Sequence, residues 1–188
     1  MKELLKSYIQ LFKYYKQLGD KSMAQLKGEE AFFWTPGRES NSIAVIVQHL
    51  YGNMKSRWTD FLTTDGEKDW RDRDQEFELY LEYQQEVIQL WEDGWAYLFE
   101  ALEAIEDTHQ DQLVYIRNKG HRIEEAIQRQ LAHYAYHVGQ IVFLSRILTA
   151  DEWQSLSIPK GSSKSYNQQA FSNTKRKELF TQELLEEE

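Results

Sequence analysis

Two histidines stand four residues apart in the segment LAHYAYH, which covers residues 131–137. Because residues i and i+4 lie one turn apart on the same helix face, His133 and His137 can bind one metal ion through their imidazoles. The same face carries a mostly apolar stripe: Ala126, Gln130, Ile141, Leu144 and Leu148. This pattern predicts imidazoles that face the interior, where each needs a partner. A metal ion is one such partner, and Gln130 or Gln140 is another.

His49 is the third candidate ligand. It lies in the middle of another amphipathic segment, and the small residues Gly52 and Ser56 beside it leave room. If the two helices pack side by side, three imidazole nitrogens meet, and a further position on the metal stays free for water or substrate. Asp and Glu are absent from these inner stripes, so the sequence predicts an all-histidine shell. Three imidazoles do not select the metal, because zinc, nickel, iron and manganese all accept them.

The three histidines also have a purely structural interpretation. A core histidine is usually only hydrogen-bonded, and a chain with five histidines often contains this spacing by chance. His109, in a polar connector, and His121, at the start of the last long helix, are expected to be structural residues in contact with solvent. For His49, His133 and His137, the ligand and structural interpretations both stay open at this point.

Four long segments must position these residues, and each repeats apolar side chains at three-and-four spacing. They cover residues 2 to about 27, 42–62, 77–104 and 122–148. The fold class predicted is therefore all-α, a four-helix bundle with long connectors. A strand-like run at 113–117 is expected to be too isolated to form a sheet of consequence. Residues 1–150 form the predicted bundle, and 151–188 a polar C-terminal tail that is docked or partly disordered.

Clustered charges near the end of the second segment raise the question of an anion site. The basic residues there are Arg57, Lys68, Arg71 and Arg73, and five acidic residues are interleaved with them. Opposite charges this close cancel at a distance, so we predict a solvated, self-compensating loop and not a cofactor clamp. A second basic group, Arg117, Lys119 and Arg122, precedes the fourth helix, and here too the prediction is against an anion site.

Composition narrows the classes of partner. The 188 residues carry 22 Lys and Arg against 31 Asp and Glu, a net charge of −9, which disfavours nucleic acid and anionic membrane surfaces. No cysteine is present, so a disulfide framework and a protein thiolate are excluded and a cytoplasmic location is expected. No stretch has the apolar length of a membrane span. Aromatic residues make up 14% of the chain, more than one small core hides, which predicts a homodimer.

Two stretches together resemble the DinB/YfiT-like superfamily of metalloenzymes. One is NSIAVIVQHL at 41–50, which follows Trp34-Thr35-Pro36, and the other is HYAYHVGQI at 133–141. More narrowly, RWTDFLTTDGEK at 57–68 and SIPKG at 157–161 look like a bacterial DinB-like family of unknown function. The resemblance covers residues 1–161. It implies a bundle with up-down-down-up connection, frequent homodimers, and a metal held by His49, His133 and His137.

Characterised members of that superfamily include transferases that use mycothiol, bacillithiol or glutathione. The resemblance therefore implies a divalent-metal-dependent enzyme that transfers a low-molecular-weight, bacillithiol-like thiol to a small electrophilic substrate, with zinc or nickel expected ahead of iron or manganese. Two alternatives stay open. One is a metal-dependent hydrolase, for which no inward carboxylate is evident as a general base. The other is a non-catalytic, metal-binding dimeric bundle.

Overall fold

The protein is mostly helical, as predicted. The computed structural model describes residues 2–175, 177–179 and 181. The helices of this part of the chain are α1 (Lys2–Met23), α2 (Ile43–Trp58), α3 (Gln84–Glu103), α4 (Ile123–Thr149) and α5 (Ser163–Ser172). A small two-stranded sheet precedes α4. Among the described helices, none combines the length and the apolar character needed to cross a bilayer.

The four long helices surround one hydrophobic core. Helix α1 packs mainly against α4, and α2 mainly against α3, while α2 also contacts α4 and α1 contacts α3. The largest side chains that are fully buried come from all four helices: Phe12, Leu50, Met54, Trp95, Leu98, Ile127, Tyr134 and Ile141. The α2–α4 contact is the one the predicted metal site requires.

Three helix boundaries differ from the sequence prediction. Helix α1 ends at Met23 and not near 27. Helix α2 ends at Trp58 and not near 62, because Thr59 is extended and Asp60 takes a positive φ of 48°. Helix α3 begins at Gln84 and not at 77. There the Glu86 carboxylate accepts hydrogen bonds from the backbone N–H groups of Glu82 and Tyr83, which caps the first turn.

The segment between α2 and α3, residues 59–83, is called the connector below. It lies against α2 and includes a short 3₁₀ helix, Gln75–Phe77. The buried Gln48 amide on α2 fixes this stretch by donating to three backbone carbonyl oxygens, those of Gln75, Glu76 and Glu78. The connector therefore occupies a defined position over the middle of α2.

The strand-like run at 113–117 forms one arm of a hairpin. Strand β1 (Leu113–Ile116) pairs antiparallel with β2 (Lys119–Arg122), with Leu113 opposite Arg122. The turn residues Arg117 and Asn118 have positive φ values of 55° and 59°, and the Asp65 carboxylate accepts their backbone N–H groups at 2.8 and 2.7 Å. Among the described residues the run forms no sheet larger than this hairpin, but the hairpin anchors the connector through Asp65.

The beginning of the predicted tail docks on the residues that follow α1. The Gln154 backbone exchanges two hydrogen bonds with the Gln25 amide, and Lys27 forms an ion pair with Glu152. Helix α5 has no buried residue among those described. Residues 176, 180 and 182–188, which the tail prediction also covers, lie outside the described residues. The domain boundary near 150 stays a prediction.

Candidate metal centre

The three predicted histidines lie together between α2 and α4. His49 Nε2 is 3.3 Å from His133 Nε2, and His137 Nε2 is 3.1 Å from the same atom. Each residue offers one nitrogen such that all three lie within 4.8 Å of one another. His49 and His137 are buried and His133 is half-buried. The arrangement can hold a metal ion.

Hydrogen bonds on the opposite ring edges orient two of these imidazoles. His49 Nδ1 is 2.8 Å from Glu76 Oε2, and His137 Nδ1 is 2.8 Å from Gln140 Oε1. Because a carboxylate and an amide oxygen accept, both Nδ1 atoms carry a proton, so a neutral ring in either position has its free lone pair on Nε2. Gln140 was foreseen as an alternative to a metal, but it binds the other nitrogen and leaves Nε2 available.

A cation fits this set of atoms better than a proton does. The lone pairs of His49 and His137 both face His133 Nε2, which can donate a single N–H to only one of them. Nitrogens bound to tetrahedral zinc lie about 2.0–2.1 Å from the ion and hence about 3.3 Å from one another, close to the separations observed here.

The electrostatics keep the imidazoles ready to bind. Burial, together with the neighbouring His137 and His49, lowers the pKa of His133 to about 3. Burial also lowers the pKa of His137 to about 4, although the hydrogen bond with Gln140 opposes this. Both rings are therefore neutral at neutral pH, the form in which imidazole binds metals.

Glu76 is the functional residue that the sequence analysis missed. The prediction that no carboxylate faces inward was wrong, because it examined helix stripes and Glu76 comes from the connector. A Cβ added to Gly52 would stand 2.5 Å from Glu76 Oε1. The space that Gly52 leaves beside His49 is therefore filled by the Glu76 carboxylate. A glycine inside a helix was the only feature of the sequence that indicated this contact.

Arg71 also holds Glu76 in place. Its Nε and Nη2 donate to the two carboxylate oxygens at 2.7 and 2.9 Å, a bidentate pair. Glu67 accepts from both Arg71 and Arg57 at 3.1 Å. Burial alone would raise the pKa of Glu76, but the bonds from His49 and Arg71 lower it below its usual value. Glu76 is therefore ionised and polarises His49.

The prediction of a solvated, self-compensating loop was wrong about the solvation of Arg57 and Arg71 and right about the compensation of their charges. The Arg71 side chain is only 3% exposed and Arg57 is 5% exposed, so neither is solvated. Their charges are nevertheless balanced within the connector, by Glu67 and Glu76. Sequence spacing did not distinguish burial from exposure, because the connector has no helical period that would assign its faces.

Comparison with known proteins identifies the family. The model of a family described as a protein of unknown function (DUF1572) matches residues 1–162. The chain belongs to this family. No curated protein and no solved structure matches the chain.

A cavity of about 480 Å³ opens onto the three histidines of this DUF1572 member. Phe77 stacks on the His49 ring at 4.7 Å and forms part of the wall. Five arginines line the cavity as well: Arg57, Arg71, Arg73, Arg117 and Arg129. Among the lining residues that the structure describes, none is acidic. The volume lies within the range of about 300–1,000 Å³ that small-molecule sites span.

The remaining candidates lie away from this centre. His109 accepts the Glu106 backbone N–H in an exposed turn, and His121 lies in β2, so neither joins the cluster. At the start of α4, Glu125 accepts the Arg122 backbone N–H and caps the helix itself. The expectation against an anion site at that helix start stays a prediction, and Arg117 of the same basic group lines the cavity.

Proposed function

We propose that the chain is a divalent-metal-dependent enzyme that transfers a low-molecular-weight thiol to an electrophile. The observation that supports this most is the convergence of three imidazole Nε2 atoms, two of them oriented by Glu76 and Gln140, at a cavity of small-molecule size. His49, His133 and His137 would hold the metal, and we expect zinc or nickel ahead of iron or manganese. A metal bound there supplies a Lewis acid that favours the thiolate form of a thiol.

The residues of the chain contribute orientation and a partly closed site. Glu76 keeps the proton on His49 Nδ1, and Gln140 keeps the proton on His137 Nδ1, so ligand geometry is set before substrate binds. In the transfer, the thiolate sulfur forms a bond to the electrophilic carbon. The leaving group departs with the electron pair of the broken bond, and the thiol proton passes to solvent.

The alternative is a metal-dependent hydrolase, which needs a general base. Glu76 is a candidate for that base, because its carboxylate faces inward. Both of its oxygens are already engaged, by Arg71 and by His49. These hydrogen bonds lower the pKa of Glu76, which makes it a weak base toward water, and its role in this proposal is to orient His49. A thiol substrate needs no such base once its pKa is lowered.

We also propose a DinB-like four-helix bundle and a cytoplasmic location, with a small molecule as partner and neither nucleic acid nor membrane. The packing of α1, α2, α3 and α4 about one core supports the bundle. The metal-binding, non-catalytic bundle remains the outcome if every thiol and hydrolysis assay is negative.

The homodimer belongs to this proposal too. Helix α4 exposes an apolar stripe at Tyr136, Phe143 and Ile147, with spacing that places the three on one outer face. Sedimentation at several micromolar concentrations should give a dimer, and Phe143→Ser should shift the equilibrium to monomer. A monomer at every concentration would refute this part of the proposal.

Elemental analysis and cobalt spectroscopy test the enzyme proposal. Protein purified without an affinity tag should contain about one divalent ion per chain. After cobalt substitution, a thiol at millimolar concentration should change the visible absorption bands, because sulfur replaces oxygen in the coordination shell. His133→Ala should abolish both signals. Unchanged bands with every thiol tested, followed by a negative thiol-plus-electrophile screen, would overturn the transferase.

A further inference from the structure

We propose that the cavity over the three histidines binds a small organic anion through Arg73, Arg117 and Arg129, so that the thiol substrate carries a carboxylate. The thiol part of this statement rests on the proposed function above. The anion site itself rests on the charges and contacts of the cavity wall.

Local charge decides what the cavity attracts. The whole chain carries −9, yet five arginines and, among the described lining residues, no acidic side chain face this one cavity. At physiological ionic strength charges farther than about 8 Å are largely screened, so the distant acidic surface has little effect here. Nearby, Glu67 and Glu76 balance Arg57 and Arg71, and the three remaining arginines leave the cavity positive. A divalent ion at the histidines would add to the same positive potential. A cationic ligand is disfavoured and an anionic one is selected.

The arginines divide into two groups by their partners. Arg57 and Arg71 are buried and neutralised by Glu67 and Glu76, and so serve the structure. The other three are exposed and less engaged.

Each of these three has N–H groups available for a ligand. Arg73 lies over the Phe77 ring at 5.3 Å, a contact with the guanidinium face that leaves its edge free. Arg117 Nε is 3.5 Å from Glu67 Oε2, the longest ion-pair contact of that carboxylate. Arg129 has no acidic partner in the described part of the chain. A guanidinium edge matches a carboxylate through two parallel hydrogen bonds.

Two unsatisfied atoms in the wall indicate further polar recognition. Arg57 Nε and Gln130 Oε1 are buried and lack a hydrogen-bond partner among the described residues, and both residues line the cavity. An unpaired buried donor or acceptor is destabilising, so such atoms favour a ligand that pairs with them. The ligand then carries a further donor and acceptor, as a hydroxyl or amide provides.

Three small thiols that differ in charge test the substrate class: 3-mercaptopropionate, 2-mercaptoethanol and cysteamine. Titration of the cobalt-substituted protein should give affinity in that order, with the anionic thiol about tenfold tighter than the neutral one. The ammonium group of cysteamine makes its thiol the most acidic of the three. Thiolate formation alone therefore predicts the reverse order, and observing the reverse order would overturn the proposal.

Arginine variants separate the cavity wall from the metal as the source of this preference. Arg73→Gln, Arg117→Gln and Arg129→Gln should each weaken 3-mercaptopropionate binding about tenfold and leave 2-mercaptoethanol unchanged. The matched control is Arg146→Gln, an exposed arginine on α4 that does not line the cavity. Equal affinities in all four variants would contradict the proposed arginine contacts.

An anion without sulfur tests the anion site independently of the proposed thiol transfer. Succinate binding, measured by calorimetry on the metal-loaded protein, should weaken in the Arg129→Gln variant and not in Arg146→Gln. If succinate behaves so but no thiol changes the cobalt bands, the anion site stands and the thiol transferase falls. If thiols change the bands without regard to their charge or to the arginines, the transferase stands and the anion site falls.

Discussion

Helix α4 and the connector meet at the same three histidines, but they contribute in different ways. Helix α4 supplies His133 and His137 at i and i+4, a spacing that the helical period alone places on one face. The connector supplies Glu76. Its position depends on Arg71 in the connector and on Gln48 and Gly52 of α2, and no regular spacing relates these residues to Glu76. Ligands on a regular element can thus be read from spacing, whereas the group that orients one of them depends on tertiary packing.

The largest effect should come from the ligands themselves. His49→Ala, His133→Ala and His137→Ala should each remove most metal binding, because two imidazoles leave the ion without a third protein ligand. Helical content should stay near the wild-type level, since the core is built from other residues of the same helices. Metal stoichiometry and circular dichroism measure the two quantities. Wild-type stoichiometry in any two of the variants would disprove the triad.

The difference between the two regions also explains how far the sequence could be interpreted. The long helices followed from apolar periodicity, with errors at the ends of α1 and α2 and at the start of α3. The same periodicity placed the three histidines on inward faces but left open whether they bind a metal. The ends were missed because they depend on local contacts, such as the cap that Glu86 gives α3. Glu76 and the buried Arg71 could not be predicted, because the polar composition of the connector resembles that of a solvated loop.

Glu76→Gln should give the next largest effect, a loss of about 10–100-fold in metal affinity. The change keeps the size of the side chain but removes the charge that polarises His49 and pairs with Arg71. Affinity should be measured by competition with a chelator, at a temperature where circular dichroism shows the variant fully folded.

A double-mutant cycle shows whether Glu76 acts through His49. In the His49→Ala background, Glu76→Gln should cause little further loss of metal affinity, because the histidine that Glu76 orients is absent. A full additional loss of 10–100-fold would mean that Glu76 influences the metal by another route, and would contradict its assignment as a positioning residue.

Gly52→Ala should lower metal affinity by about tenfold although Gly52 contacts no metal. The new Cβ would meet Glu76 Oε1, Cδ and Cγ at 2.5–2.9 Å, and Glu76 cannot yield without breaking its bonds to His49 and Arg71. Gly139→Ala on α4 is the matched control, because its Cβ meets nothing within 4 Å. Both changes gain about 1 kcal/mol of helix propensity, so only the connector contact distinguishes them. Equal metal affinities in the two variants would show that Glu76 is not confined by Gly52.

The smallest effect should come from Gln140→Ala, which removes the orienting group that α4 itself provides. Gln140 Oε1 accepts from His137 Nδ1 at 2.8 Å as Glu76 accepts from His49, but a neutral amide polarises an imidazole less than a carboxylate does. A neutral hydrogen bond contributes about 0.5–1.5 kcal/mol, so metal affinity should fall about two- to tenfold, less than in Glu76→Gln. Helix α4 also restrains the His137 ring through its own backbone, and solvent can replace an amide at this half-buried position. A loss in Gln140→Ala that equals or exceeds the loss in Glu76→Gln would mean that the regular helix, and not the connector, sets the ligand geometry of this site.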